Sequence, residues 1–262
     1  MRGLKLIEIV EVANRKFPFS YSEDWDNSGV QVGNLEREIK NIAFSLDANP
    51  STILFAQQTS SELLITHHPL ILQPIKTFIS SDLSVETLKA AIRYDIDVMS
   101  LHTNLDAAPG GLNDYLAQLI GLNHVFVPER AMCARFGNLE CLISLDALNE
   151  LVKARLSIDQ TTLITNDKDC LVSKVFLASG SGAGYLADAI RLEADVMITG
   201  DVKYHAAVDA RRCGVSVIDA GHFGMEKHAV RLMADSFKNE FKNMGAQMVC
   251  HECHDEKDPF IL

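Results

Sequence analysis

Short runs of apolar and β-branched residues recur along the chain: IAFSLDA, ELLIT, IDVMSL, KVFLAS, DVMIT and VSVIDA. Each is almost continuously apolar rather than alternating, the pattern of a strand covered on both faces. Between them lie segments such as SVETLKAAIRY, in which apolar residues return three and four positions apart, as in a helix resting on a sheet. This alternation predicts an α/β fold with mainly parallel sheets covered by helices. The opening stretch MRGLKLIEIVEVANRKF predicts an amphipathic helix with Leu6, Ile9, Val10 and Ala13 on one face. Two more helices follow from the same spacing, one carrying Leu112, Leu116, Leu119 and Ile120, the other Val230, Met233, Phe237 and Phe241.

The pattern also repeats. ELLITHHP resembles DVMITGDV with Thr66 opposite Thr199, and VMSLHTNLD resembles IDAGHFGME with His102 opposite His222 and Asp106 opposite Glu226. The different offsets of the two matches are accounted for by the extra segment PLILQPIKTFISSDL in the first half. Two related α/β domains, 1–128 and 129–262, are therefore expected, against the alternative that apolar strands match by chance.

Open α/β sheets place chemistry at the carboxyl ends of their strands, and polar residues collect there. His67 and His68 close the run LLITHHPL, before a proline that stops the ladder. Because neighbouring strand residues point to opposite sides, the pair can address two metal positions, or it can shape a loop. The next run brings His102 and Asp106, and VIDAGHFGME brings His222 with Glu226 one helical turn later. An acid near the positive end of a helix explains Glu226 alone, but not the recurrence of His-x-x-x-acid after both strands. The mixed nitrogen and oxygen donors suit iron, zinc or manganese rather than calcium.

Other polar segments carry weaker signals. WDNSGVQVG, with Asn27, either lines a substrate pocket or is a turn entering a strand. In ITGDVKYHAA, Asp201 is an N-cap or a substrate contact, and Tyr204 and His205 are candidates for base contact and proton transfer; His102 is the other proton carrier. The tail VCHECHDEKD crowds Cys250, His251, Cys253 and His254 together, but zinc sites draw ligand pairs from separated segments, so a solvated or strand-end tail is expected. The glycines of SGSGAGYLADA lack dinucleotide-fingerprint spacing.

Composition narrows the function. With 262 residues, 47% of them hydrophobic, the chain can bury a sizeable core. Its 35 acidic and 24 basic residues give a net charge of −11, which argues against general nucleic-acid binding while allowing a small nucleotide. No membrane span or signal peptide is expected, and six scattered cysteines fit a reducing cytoplasm.

WDNSGVQVG, THHPL, HTNLDAAPGGLND, GDVKYHAA and DAGHFGMEK, in this order, resemble the motif series of the Nif-three-like family, whose members are often labelled GTP cyclohydrolase I type 2 homologues. The resemblance implies a dinuclear metal centre between two α/β domains, with ligands on His67, His68, Asp106, His222 and Glu226. It further implies that Glu226 bridges, that His68 and Asp106 serve one ion and His67 and His222 the other, and that His102 sits close by. A ring-shaped homohexamer is expected on the same ground; the CHECHDEKD tail departs from the family's usual ending. The function implied is a metal-dependent hydrolase of a nucleotide or similar heterocycle, with opening of the GTP purine at C8 as the labelled example. A metal-stabilised regulatory or scaffold protein and a phosphoesterase are the alternatives. The second is disfavoured by the scarcity of basic residues near the motifs, Lys203 being the obvious one.

Overall fold

A computed structural model describes residues 3–79 and 82–260. The chain forms two compact units, Met1–Ala108 with His228–Glu256, and Pro109–Lys227 with Lys257–Leu262. Along the chain the first contains β1 (Leu4–Lys5), α1 (Leu6–Lys16), β2 (Gly29–Val32), β3 (Glu38–Ile39), β4 (Asn41–Ser45), α2 (Pro50–Gln58), β5 (Leu63–Thr66), α3 (Leu83–Tyr94), β6 (Asp97–Ser100) and α4 (Thr103–Ala107). The second contains α5 (Leu112–Ile120), β7 (Asn123–Phe126), β8 (Arg135–Ser144), α6 (Leu145–Leu156), β9 (Thr162–Ile164), β10 (Leu171–Leu177), α7 (Leu186–Arg191), β11 (Val196–Thr199), α8 (Tyr204–Cys213), β12 (Ser216–Asp219) and α9 (His222–Glu226). The chain then returns to the first unit with α10 (His228–Asn243) and β13 (Val249–Glu252).

The first unit's main sheet has the order β13-β4-β5-β6-β2. Its first four strands run parallel and β2 closes the edge antiparallel to β6. The second unit's sheet, β7-β8-β10-β11-β12-β9, has a parallel centre of β10, β11 and β12 with antiparallel strands outside it. All six predicted apolar runs are strands of the parallel parts, and all of these strands but β10 have no exposed residue. The antiparallel flanks escaped the pattern because they are less buried: β2 is half-buried along its length and β7 is exposed throughout.

Helix faces follow the predicted spacing with two shifts. α1 buries Leu6, Ile9, Val12 and Ala13, so Val12 rather than Val10 lies against the core. α5 buries Asn113 and Ala117 beside Leu112, Leu116 and Ile120, while Leu119 is half-buried. Asn113 is tolerated inside because its side-chain amide donates to the Cys133 carbonyl and Ser179 Oγ and its Oδ1 accepts from Ser179 N–H. α10 buries the stripe Val230, Met233, Phe237 and Phe241, with Phe237 stacked 5.7 Å from Phe44 of β4.

This grouping is not a single cut at 128/129. α5 and β7 pack with the second unit, and α10 rejoins the first because its apolar stripe covers β4 and meets α1. Among the described residues no helix is long and apolar enough to cross a membrane.

Candidate metal centre

In the first unit, β4, β5 and β6 end side by side, and the polar residues just beyond them converge. β5 stops at Thr66, so His67 and His68 lie past the pleat. Strand alternation therefore does not separate their side chains: the rings are 5.0 Å apart, with the His102 ring 5.3 Å from His67 and 5.6 Å from His68. One ring nitrogen from each of the three lies within 4.8 Å of those of the other two. His102 precedes α4, whose single turn brings Asp106 round so that its Oδ1 is 3.8 Å from His67 Nε2. His67 and Asp106 are buried and His68 and His102 half-buried.

The second unit repeats the device. α9 begins at His222, and one turn on Glu226 places Oε2 2.7 Å from His222 Nε2. Two lone-pair groups at that separation need a proton or a metal ion between them. Glu226 is buried, and the backbone below it leaves no room for side chains. Gly180, at φ +57°, passes so close that a Cβ there would stand 2.0 Å from Glu226 Oε1, and a Cβ on Gly200 would meet the Gly221 backbone at 2.8 Å.

All four histidines are anchored through Nδ1. His67 Nδ1 lies 2.8 Å from the Leu101 carbonyl, His68 Nδ1 2.7 Å from Asp47 Oδ1, His102 Nδ1 2.8 Å from Asp26 Oδ1 and His222 Nδ1 2.7 Å from Asp201 Oδ2. Carbonyls and carboxylates only accept, so each Nδ1 carries a proton, and Nε2 is the nitrogen left to face the site; at His222 it meets Glu226 Oε2, with a proton or an ion between them. This is how proteins fix the tautomer of metal-ligating histidines, and with buried carboxylates at hand the donor set fits a divalent transition metal.

Three of those acceptors are aspartates that motif reading left unassigned or misplaced. Asp26 makes the WDNSG loop a support for His102: it accepts from His102 Nδ1, Ser28 Oγ and both N–H and Oγ1 of Thr103. Burial opposes its ionisation, but those hydrogen bonds and the nearby imidazole prevail and hold the carboxyl below the usual carboxylate range. Because its folded pKa is depressed, its stabilising contribution is present above the ordinary Asp pKa of about 3.9 and fades as pH falls below it. Asp26→Asn is therefore expected to lower stability at pH 7, with the gap to wild type closing below about pH 4. Urea denaturation at both pH values measures this, and a gap that is independent of pH would contradict it.

Asp201 is not an N-cap. It sits at φ +55°, the N-cap position of α8 is Lys203, with no side-chain cap bond, and the Asp201 carboxylate instead orients His222. Asp47 gave no motif signal, though its place one residue past Leu46, beyond the end of β4 and next to β5, is where such a residue belongs. Asn27 ties its loop to the segment after β5, donating from Nδ2 to the Ile71 carbonyl. Tyr204 and His205 are exposed at the start of α8, stacked edge-on at 5.3 Å. Neither lines a cavity of about 660 Å³ in the second unit, which opens beside Asp201 and Gly221 and is walled by Asp159, Asp219, Phe223, Lys227 and Asp258. The tail forms β13, which pairs in parallel with β4.

The sequence pattern of the family Duf34/NIF3 (NGG1p interacting factor 3) matches residues 4–259. A relative from Clostridium perfringens called GTP cyclohydrolase 1 type 2 homolog is 30% identical over 98% of this chain and 99% of its own length. One from Helicobacter pylori called GTP cyclohydrolase 1 type 2 is 33% identical over 87% of this chain and 89% of its own. In fold, a Bacillus cereus protein related to NIF3 superposes with a TM-score of 0.92 at 22% identity, covering 100% of both chains.

Proposed function

Because the chain belongs to the Duf34/NIF3 family, we propose that it holds two divalent ions, iron, zinc or manganese, on His67, His68 and Asp106 of the first unit and His222 and Glu226 of the second. Anchoring of the four histidines through Nδ1 supports this most directly, since it makes Nε2 the nitrogen through which each would bind an ion. Joining the two half-sites into one centre, with Glu226 bridging, rests on the motif series shared with the family.

The activity that fits best is hydrolysis of a nucleotide or related heterocycle, in line with the name carried by relatives at 30% and 33% identity. Two such ions supply Lewis acidity and acidify a coordinated water. The chain's own part is to orient and to move protons. His102, held by Asp26, offers Nε2 as a proton acceptor beside His67 and His68, and exposed His205 is the second candidate. Asp201 acts through His222, while Asn27 and Tyr204 are substrate contacts. The cavity beside Asp201 has Asp159, Asp219 and Asp258 against Lys227, so a nucleotide would present its base to that wall and keep its phosphates outside. The same acidity counts against a phosphoesterase. A homohexamer is part of this reading on family grounds, and a cytoplasmic location accords with six cysteines that form no disulfide.

The decisive experiment reloads the full chain with iron, manganese or zinc and screens GTP, other nucleotides and phosphoesters beside a His67→Ala/Glu226→Ala variant. Turnover of a heterocycle by wild type alone is expected. If nothing turns over and the variant keeps its assembly and partners, the enzyme reading fails; fewer than about one ion retained per chain would remove the metal as well.

A further inference from the structure

The C-terminal tail, which matched nothing in the motif series, reaches the first half-site. β13 pairs with β4 from Val249↔Asn41 to Glu252↔Phe44, and Cys253 N–H extends the ladder to the Phe44 carbonyl. The ladder ends there, and the next N–H groups of the β4 end, those of Leu46 and Asp47, are both taken by one side chain. Glu256 Oε2 accepts from Leu46 N at 2.7 Å and Oε1 from Asp47 N at 2.9 Å. The Asp47 carbonyl is gripped from its other side by the hydroxyls of Ser45 and Thr52, each at 2.9 Å. Asp47 is thus pinned at both ends of its backbone, and its half-exposed carboxylate points at His68 Nδ1, 2.7 Å away.

We infer that Glu256 is a positioning residue for His68, acting through Asp47: its bidentate grip on two adjacent amides sets the carboxylate that selects the His68 tautomer and aims its Nε2. A carboxylate accepting from two N–H groups makes charge-assisted bonds roughly twice as strong as neutral ones. A loop end held this way loses the freedom that would otherwise let Asp47 turn to solvent. The consequence for metal binding rests on His68 being a ligand, as proposed above; the consequence for the His68 ring does not.

The test uses full-length Glu256→Ala, Glu256→Gln, Asp47→Asn and the Asp47→Asn/Glu256→Ala double variant. Nitrogen NMR of the metal-free proteins reads the His68 tautomer, and chelator competition reads zinc and manganese affinity. Wild type is expected to show protonated Nδ1 at His68, and Glu256→Ala a mixture of tautomers. Metal affinity is expected to fall about ten- to a hundredfold, the usual cost of removing a residue that supports a ligand. Glu256→Gln, which keeps one acceptor and preserves volume, should lie between the two and serves if the alanine variant does not fold. In the Asp47→Asn background Glu256→Ala should add nothing further, since the two act in series. Lower thermal stability with an unchanged His68 ring and unchanged affinity, or losses that simply add in the double variant, would overturn the inference. A tautomer change without any metal binding in wild type would instead sink the metal proposal while leaving this one standing.

Discussion

Glu226→Ala is expected to lose bound metal and, with it, the stabilisation that metal confers. Glu226 sits one turn after His222, buried, with Oε2 2.7 Å from the imidazole Nε2, so truncation removes the oxygen donor and leaves the nitrogen without its neighbour. In wild type, an ion present at about 100 times its dissociation constant stabilises the fold by about 2.7 kcal/mol. At roughly 2–4 °C per kcal/mol for a chain of this size, chelation should lower the Tm by about 5–10 °C. The variant should show no such shift and retain less than about one ion per chain by elemental analysis. A variant that keeps wild-type metal content and the same chelator response would mean that Glu226 is a structural acid at a helix start.

Gly180→Ala is expected to damage both the fold and the site. A non-glycine residue at φ +57° carries backbone strain of about 1–3 kcal/mol, and here the added methyl would also meet Glu226 Oε1 at 2.0 Å and press towards the His222 ring. Gly214 provides the control, at φ +79° with nothing within 4 Å of its Cβ position. Gly214→Ala should cost strain alone, and Gly180→Ala more in urea denaturation together with at least a tenfold loss of metal affinity. Equal costs at the two positions, with metal affinity intact, would refute the steric argument.

Motif reading found the side chains that face the site but few of the groups that hold them. His67-His68, His102 with Asp106 and His222 with Glu226 stand out because each follows an apolar strand and the His-x-x-x-acid spacing recurs. Asp47, Gly180 and Glu256 do not, since each matters through a contact with residues far along the chain: Asp47 with His68, Gly180 with Glu226 and Glu256 with Leu46 and Asp47. Asp201 was visible as an N-cap or a substrate contact; the first is not its place, and only the fold shows that its carboxylate meets His222 Nδ1.

By itself, the sequence determined the six central strands, the helices α1, α3, α5 and α10 and which polar residues end the central strands, since hydrophobic period is a local property set by burial. Tertiary structure alone decided the antiparallel flanks, the return of α10 and β13 to the first unit, and the tautomer of every histidine at the site. Strand neighbours and hydrogen-bond acceptors are chosen by what packing brings together in space, and no spacing along the chain encodes that choice.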